Sequence, residues 1–247
     1  MNHVRTAAFA ATLAIGTLIV GILISPTIFL GERAVRQGVK VWARFALFSL
    51  RIICGVRHRI EGREFIPTGG ALVAVNHQSM WETVALMAIL EKPAMVFKKE
   101  LVRVPVYGWW ALKAGGIPVD REAGVKALNA LTRTARGRIE RGCQVVVFPE
   151  GTRARPGEPL PLQPGIVSIY MAAKAPCTPA VHDSGRFWRA PGGVSALKVP
   201  GVITLRFLPA IAPGLPRKAF MAELTALLRG ESLNADKSRR AAKGAAA

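Results

Sequence analysis

ALVAVNHQSMWETVALMAIL, residues 71–90, runs a short apolar segment into a polar loop and then into a second apolar stretch of helical composition. The first five residues read as a strand. Ser79 and Glu82 then fit the S-x-x-E capping box, with Ser79 as N-cap and Glu82 at N3 of a following helix. On that account Glu82 satisfies backbone N–H groups, and His77 is an incidental loop residue. A second account uses the same residues differently: a strand-end histidine, oriented by a carboxylate one helical turn away, makes a general base. The two are compatible. The cap can fix the helix while Glu82 turns toward the imidazole, keeps one ring nitrogen protonated and stabilises the imidazolium.

Outward from this stretch the same texture repeats. "AMVF", "QVVVF", "CTPAVH" and "VITLRF" read as strands, and "GVKALNALTRTARGRIERG" and "GIVSIYMAAKA" as helices between them. Strands alternating with helices predict an α/β fold, a central largely parallel sheet flanked by helices, over residues 55–215. In such sheets functional groups gather beyond the carboxyl ends of the strands. The stretch 124–141, with Val125, Leu128, Leu131 and Ile139 among basic residues, reads as a surface helix ended by Gly142. Residues 216–247 read as a C-terminal helix and a disordered, low-complexity tail.

Residues 1–54 differ in kind. From Thr6 to Gly31 there is no charge, which is length enough to cross a hydrocarbon core, and no convincing cleavage site follows. Arg33, Arg36, Lys40, Arg44 and Arg51 crowd the far flank against Arg5 on the near one, so the positive-inside rule puts the following domain on the cytoplasmic side. "VKVWARFALFSLRIICG" is apolar but broken by Arg44 and Arg51, as suits an interfacial amphipathic helix. Pro26 marks a bend, so one N-terminal membrane-anchoring helix and a two-helix hairpin both fit. The expected place is a bacterial-type inner membrane, with membrane phospholipids as partners.

The chain of 247 residues carries a formal net charge of +19 with a hydrophobic fraction of 51%. A nucleic-acid binder is rarely so apolar, and no nucleic-acid motif is present. Basic and apolar together indicate an anionic membrane surface or an anionic substrate. Cys54, Cys143 and Cys177 are odd in number and widely spaced, which supports neither a disulfide framework nor a metal site.

Three further stretches place charge after an apolar run. "FPEGTR" (Phe148–Arg153) follows "QVVV"; "GGIPVDRE" (Gly115–Glu122) ends in Asp-Arg; "FKKEL" adds Lys98 and Lys99. Arginine suits bidentate recognition of a phosphate or carboxylate, although an isolated one more often makes a solvated loop salt bridge.

"NHQSMWE", "GGIPVDR", "FPEGTR" and "TPAV" (Thr178–Val181), with "KKELVRVPVYGWW" between the first two, resemble in order and spacing the motifs of glycerolipid acyltransferases, most closely the bacterial 1-acylglycerol-3-phosphate acyltransferases. The resemblance covers roughly residues 56–209. It implies that His77 is the base and Glu82 its orienting acid. It also implies that Lys98, Arg121 and Arg153 hold the acceptor phosphate, and that Glu150, Gly151 and Thr152 position the glycerol. The implied acceptor is lysophosphatidic acid and the implied donor acyl-CoA or acyl carrier protein, with no cofactor and no metal. Glu82 stands where many members have Asp, and "TPAV" replaces the commoner Val-Pro-Val/Ile form. No G-x-S-x-G elbow is present, so a covalent acyl-enzyme has no sequence support.

Other readings compete. Another lysolipid or glycerol 3-phosphate is an alternative acceptor. A basic membrane-tethered lipid-binding protein without catalysis is a reading of another class, favoured by Ser184–Lys218 with its basic residues and no acid. His182-Asp183 makes a poor rival dyad, because adjacent residues on a strand face opposite ways.

Overall fold

The computed structural model describes residues 1–104, 107–120, 123–158, 161–189 and 193–244, with side chains up to residue 230. Seven strands form one sheet: β1 (Val56–Glu61), β2 (Ala71–Val75), β3 (Pro93–Lys98), β4 (Ile117–Val119), β5 (Gln144–Val147), β6 (Cys177–His182) and β7 (Gly201–Phe207). Their order is β1-β7-β6-β2-β5-β3-β4, and every pairing is parallel except β6 with β7. The expected largely parallel sheet is therefore present. β2 lies at its centre, with Val73 opposite Val146 of β5 and Thr178 of β6.

Strand alternation divides the core in two. Val73, Val75 and Val146 face a layer built from α1 (Asn2–Ile24), α2 (Glu32–Cys54) and α3 (Trp81–Ile89). Leu72, Ala74, Val145 and Val147 face α5 (Gly124–Glu140), α6 (Gly165–Ala173) and α7 (Arg217–Gly244). Both faces of β2 and β5 are thus covered, which is why these strands read as unbroken apolar runs. At Gly70 a Cβ would lie 2.0 Å from the Ile139 carbonyl oxygen, so only glycine lets the end of α5 come this close to the start of β2.

Before the sheet, α1 and α2 form a hairpin joined by a 3-10 turn over Ser25–Phe29. The Ser25 and Thr27 hydroxyls donate to the Ile22 and Ile24 carbonyls at the end of the helix. Val35, Gly38, Ala43, Ala46, Leu50 and Cys54 make the buried face of α2, spaced for one side of a helix. The helix stops at Gly55, whose left-handed φ of 67° suits glycine. α1 is tied to the body at its N-terminal half. Thr6 Oγ1 accepts the Lys198 backbone N–H at 3.0 Å, and Phe9 packs edge-on against Trp188 at 5.5 Å. The Lys198 ammonium lies over both rings. Further along, Trp42 Nε1 donates to Thr17 Oγ1. The outer face of the hairpin, including Ile15, Leu18, Ile19, Ile22, Leu23, Phe48 and Ile52, is exposed.

Several details depart from the sequence reading. Helix α3 starts at Trp81, not immediately after Ser79. Val125 points out of α5, whose buried residues are Ala135 and Ile139. Strand β1 and a short helix α4 (Tyr107–Lys113) were not foreseen. The segment expected to be a disordered tail continues α7 as helical backbone to Gly244, in keeping with its many Ala, Lys and Arg residues.

Candidate active site

The loop after β2 is built of polar groups that pair with one another out of water. Asn76 extends the ladder to β6 past the end of the strand: its Oδ1 accepts the His182 N–H at 2.9 Å and its Nδ2 donates to the His182 carbonyl at 3.0 Å. The His182 ring, fully buried, has Nε2 at 2.7 Å from the Asn76 carbonyl and accepts the Ser184 N–H on Nδ1 at 3.3 Å. Only a neutral ring protonated on Nε2 satisfies both contacts, and burial lowers its pKa in the same sense.

Glu82 is the hub of this loop, with no exposed side-chain surface. Its Oε1 meets His77 Nδ1 at 2.8 Å and accepts the Gln78 and Ser79 N–H groups at 2.7 and 2.8 Å. Its Oε2 accepts the Ser79 and Ser184 hydroxyls at 2.8 and 2.9 Å. Burial opposes the charge, but the neighbouring imidazoles and these donors overcome it and hold the carboxyl down at about 2. Since His182 is neutral at pH 7, hydrogen bonds rather than an ion pair with His182 keep Glu82 ionised there. The capping box is present in altered form. Glu82 reaches back to the Ser79 N–H as expected, while Ser79 Oγ takes the N–H of Trp81.

The loop after β5 closes on His77 from the other side. Glu150 Oε2 accepts the His77 N–H at 2.8 Å, and the Ala154 N–H donates to the His77 carbonyl at 2.7 Å. Both backbone polar groups of His77 are therefore held by the loop that follows β5. Phe148 stacks on the imidazole with centroids 4.2 Å apart and planes 18° from parallel. The His77 side chain keeps 17% of its surface exposed. Glu150 is buried, and desolvation, together with the nearby charge of Glu82, pushes its carboxyl up to about 7. Two carboxylates thus flank one histidine with their pKa values driven apart.

His77, Glu82 and Glu150 lie together in the structure. Gly151, Thr152 and Arg153 follow in the same loop, Gly151 in the left-handed region at φ 74° and Thr152 exposed. Lys98 ends β3, two strands from β2, with its side chain exposed; no hydrogen bond among the described residues joins it to the dyad. Arg121 lies outside the described residues. Asn76, Phe148, His182 and Ser184 were missed as site residues; the strand-end position of His182 was the available signal. Asp183, the rival partner for His182, instead accepts the Thr204 N–H through Oδ1 at 2.8 Å. Among the described residues no cluster of ligating side chains suits a metal. On the hairpin side of the sheet lies an apolar cavity of about 100 Å³, lined by Thr17, Trp42, Met87, Met95 and Trp110 among others.

The model of the acyltransferase family matches residues 57–183, which include every dyad and loop residue above except Ser184. A 1-acyl-sn-glycerol-3-phosphate acyltransferase of Pseudomonas aeruginosa is 32% identical over 85% of this chain and 82% of its own length. One from Cocos nucifera is 26% identical over 84% of this chain and 66% of its own. The fold is shared with the crystal structure of the 1-acyl-sn-glycerophosphate acyltransferase of Thermotoga maritima: TM-score 0.76, 20% identity, covering 95% of this chain and 98% of that one.

Proposed function

The chain belongs to the acyltransferase family, and from that membership we propose that it acylates the sn-2 hydroxyl of lysophosphatidic acid to give phosphatidic acid. The names of its relatives support this acceptor. One observation carries the catalytic part of the reading: His77 Nδ1 lies 2.8 Å from a buried carboxylate that stays ionised. Nδ1–H donates to Glu82, so Nε2 has the free lone pair and acts as the base.

The acceptor hydroxyl gives its proton to His77 Nε2, and its oxygen forms a bond to the thioester carbonyl carbon. Glu82 stabilises the imidazolium. As the tetrahedral intermediate collapses, the C–S bond breaks and the departing thiolate takes the proton back from His77. The donor is acyl-CoA or an acyl carrier protein thioester, and no cofactor takes part. Arg153, with Lys98 and Arg121, binds the acceptor phosphate. Gly151 and Thr152 position the glycerol. Glu150 holds the His77 peptide and borders the same space, and the apolar cavity suits part of an acyl chain.

Helix α1 is long and apolar enough to cross a membrane. Its contacts with Lys198 and Trp188 favour a hairpin lying along the body with its outer face in one leaflet, and the basic flank favours the cytoplasmic side.

The test is an acceptor panel incubated with labelled acyl-CoA and acyl carrier protein thioesters. Lysophosphatidate should be converted to phosphatidic acid, and His77→Ala should lower turnover by about 10³-fold with membrane association intact. A variant near wild-type rate would remove His77 as the base.

A further inference from the structure

Beyond the hairpin, a second apolar surface stands at the edge of the sheet. Strand β3 ends at Lys98, at the same carboxyl end of the sheet as His77, and a 3-10 turn (Lys99–Arg103) leads toward α4. Turn and helix are packed tightly, since a Cβ on Gly108 would lie 2.0 Å from the Val102 carbonyl oxygen. The inner face of α4 (Tyr107, Trp110, Ala111), with Ala114 just past its end, lines the apolar cavity opposite Thr17, Gly21 and Ile24 of α1. Its outer face presents Trp109, 69% exposed, and Leu112, with Leu101 and Val104 of the preceding segment also exposed.

Burying the inner face of α4 and exposing an indole on the outer one is costly for a surface that meets only water. Two observations identify what covers it. The patch carries Lys98, Lys99, Arg103 and Lys113, all exposed, against Glu100 and an Asp120 already paired with Lys99 at 3.3 Å. It also adjoins, across the cavity, the half of α1 that exposes Leu18, Ile19, Ile22 and Leu23. An exposed tryptophan among aliphatic side chains with a cationic margin matches the headgroup zone of an anionic bilayer.

We propose that the turn and α4 form a second membrane contact, with Trp109 at headgroup depth. Together with the hairpin it sets how far His77 stands from the bilayer surface. The proposal rests on the reading that the chain works at a membrane, and it adds where the body, rather than the anchor, touches it.

The chain's five tryptophans make this measurable. Trp81, Trp110 and Trp188 are buried and Trp42 half-buried, so Trp109 alone is well exposed. The full chain is bound to vesicles of phosphatidylglycerol and phosphatidylcholine with brominated acyl chains. Wild type should lose about one fifth more of its total emission than Trp109→Phe, the share of one residue in five. Trp109→Ser should turn over vesicle-held acceptor severalfold more slowly, yet match wild type on a water-soluble short-chain acceptor. Vesicle flotation with equal quenching in wild type and Trp109→Phe would overturn this contact and leave the hairpin reading standing. Failure of wild type to float would overturn both. A concentration-dependent blue shift of Trp109 without vesicles would assign the patch to a protein partner and overturn the proposal.

Discussion

The loop after β2 and the outer face of the α1–α2 hairpin invert each other. In the loop, Asn76, Gln78, Ser79, Glu82 and His182 are polar and buried. On the hairpin, Ile15, Leu18, Ile22 and Leu23 are apolar and exposed. Each breaks the ordinary rule of a soluble protein, and each is resolved by a different solvent. The loop brings its own, since five hydrogen bonds from this chain reach Glu82 within 2.9 Å. On the proposed reading the hairpin takes its solvent from a bilayer, so that chemistry needing a fixed charge sits in the first kind of region and recruitment to a lipid substrate belongs to the second.

Of the changes that break this comparison, removing the fixed charge should give the largest effect, though a smaller loss of turnover than His77→Ala. Glu82→Gln turns a carboxylate serving five donors into an amide that must set its own N–H groups against some of them. Turnover should drop about 100-fold, and stability by about 3 kcal/mol, as when one partner of a buried charged network is lost. Chemical denaturation beside single-turnover assays separates the two losses. If both stayed near wild type, the loop would not depend on its charge.

A smaller effect belongs to Glu150. Its folded pKa, about 7, lies above the ordinary 4.5, so the folded chain holds the proton more tightly than the unfolded one. This contribution to stability is complete below 4.5 and is lost as pH rises through about 7. The loss is at most about 3 kcal/mol. Glu150→Gln, uncharged throughout, should flatten that slope in melts taken from acid to neutral pH. An unchanged slope would mean that Glu150 ionises as freely as an exposed carboxylate.

The smallest effect sharpens the comparison from the hairpin side. Leu18→Ser should change stability in detergent by less than about 0.5 kcal/mol, because the side chain packs on little. The same variant should sediment less with vesicles. A marked fall in the melting temperature would mean that this face is packed by protein and is no lipid surface.

The two regions were also unequally legible. Ala71–Leu90 shows strand, loop and helix from composition alone, and the hairpin shows itself by its uncharged length. The pairings inside the loop were hidden. Asn76 and His182 are 106 positions apart, and nothing local marks them as partners. His182 was judged against its sequence neighbour, whereas its ring faces Asn76 beyond the adjacent strand and the Ser184 N–H two positions on. Strand β1, "VRHRIE", lies at the sheet edge and is too charged to read as core. Helix α4 is seven residues long, too short for a period to emerge.

The bracketed peptide of His77 has a mechanical consequence. Because the loop that carries Arg153 grips both the N–H and the C=O of His77, the proposed anion-holding and proton-taking pieces are tied together. On the proposed reading, a tug on that loop from a seated headgroup reaches the imidazole through two hydrogen bonds to its own backbone. An acceptor that seats badly therefore leaves the base misaligned even when it is bound. Discrimination among acceptors should then register in kcat as well as in KM.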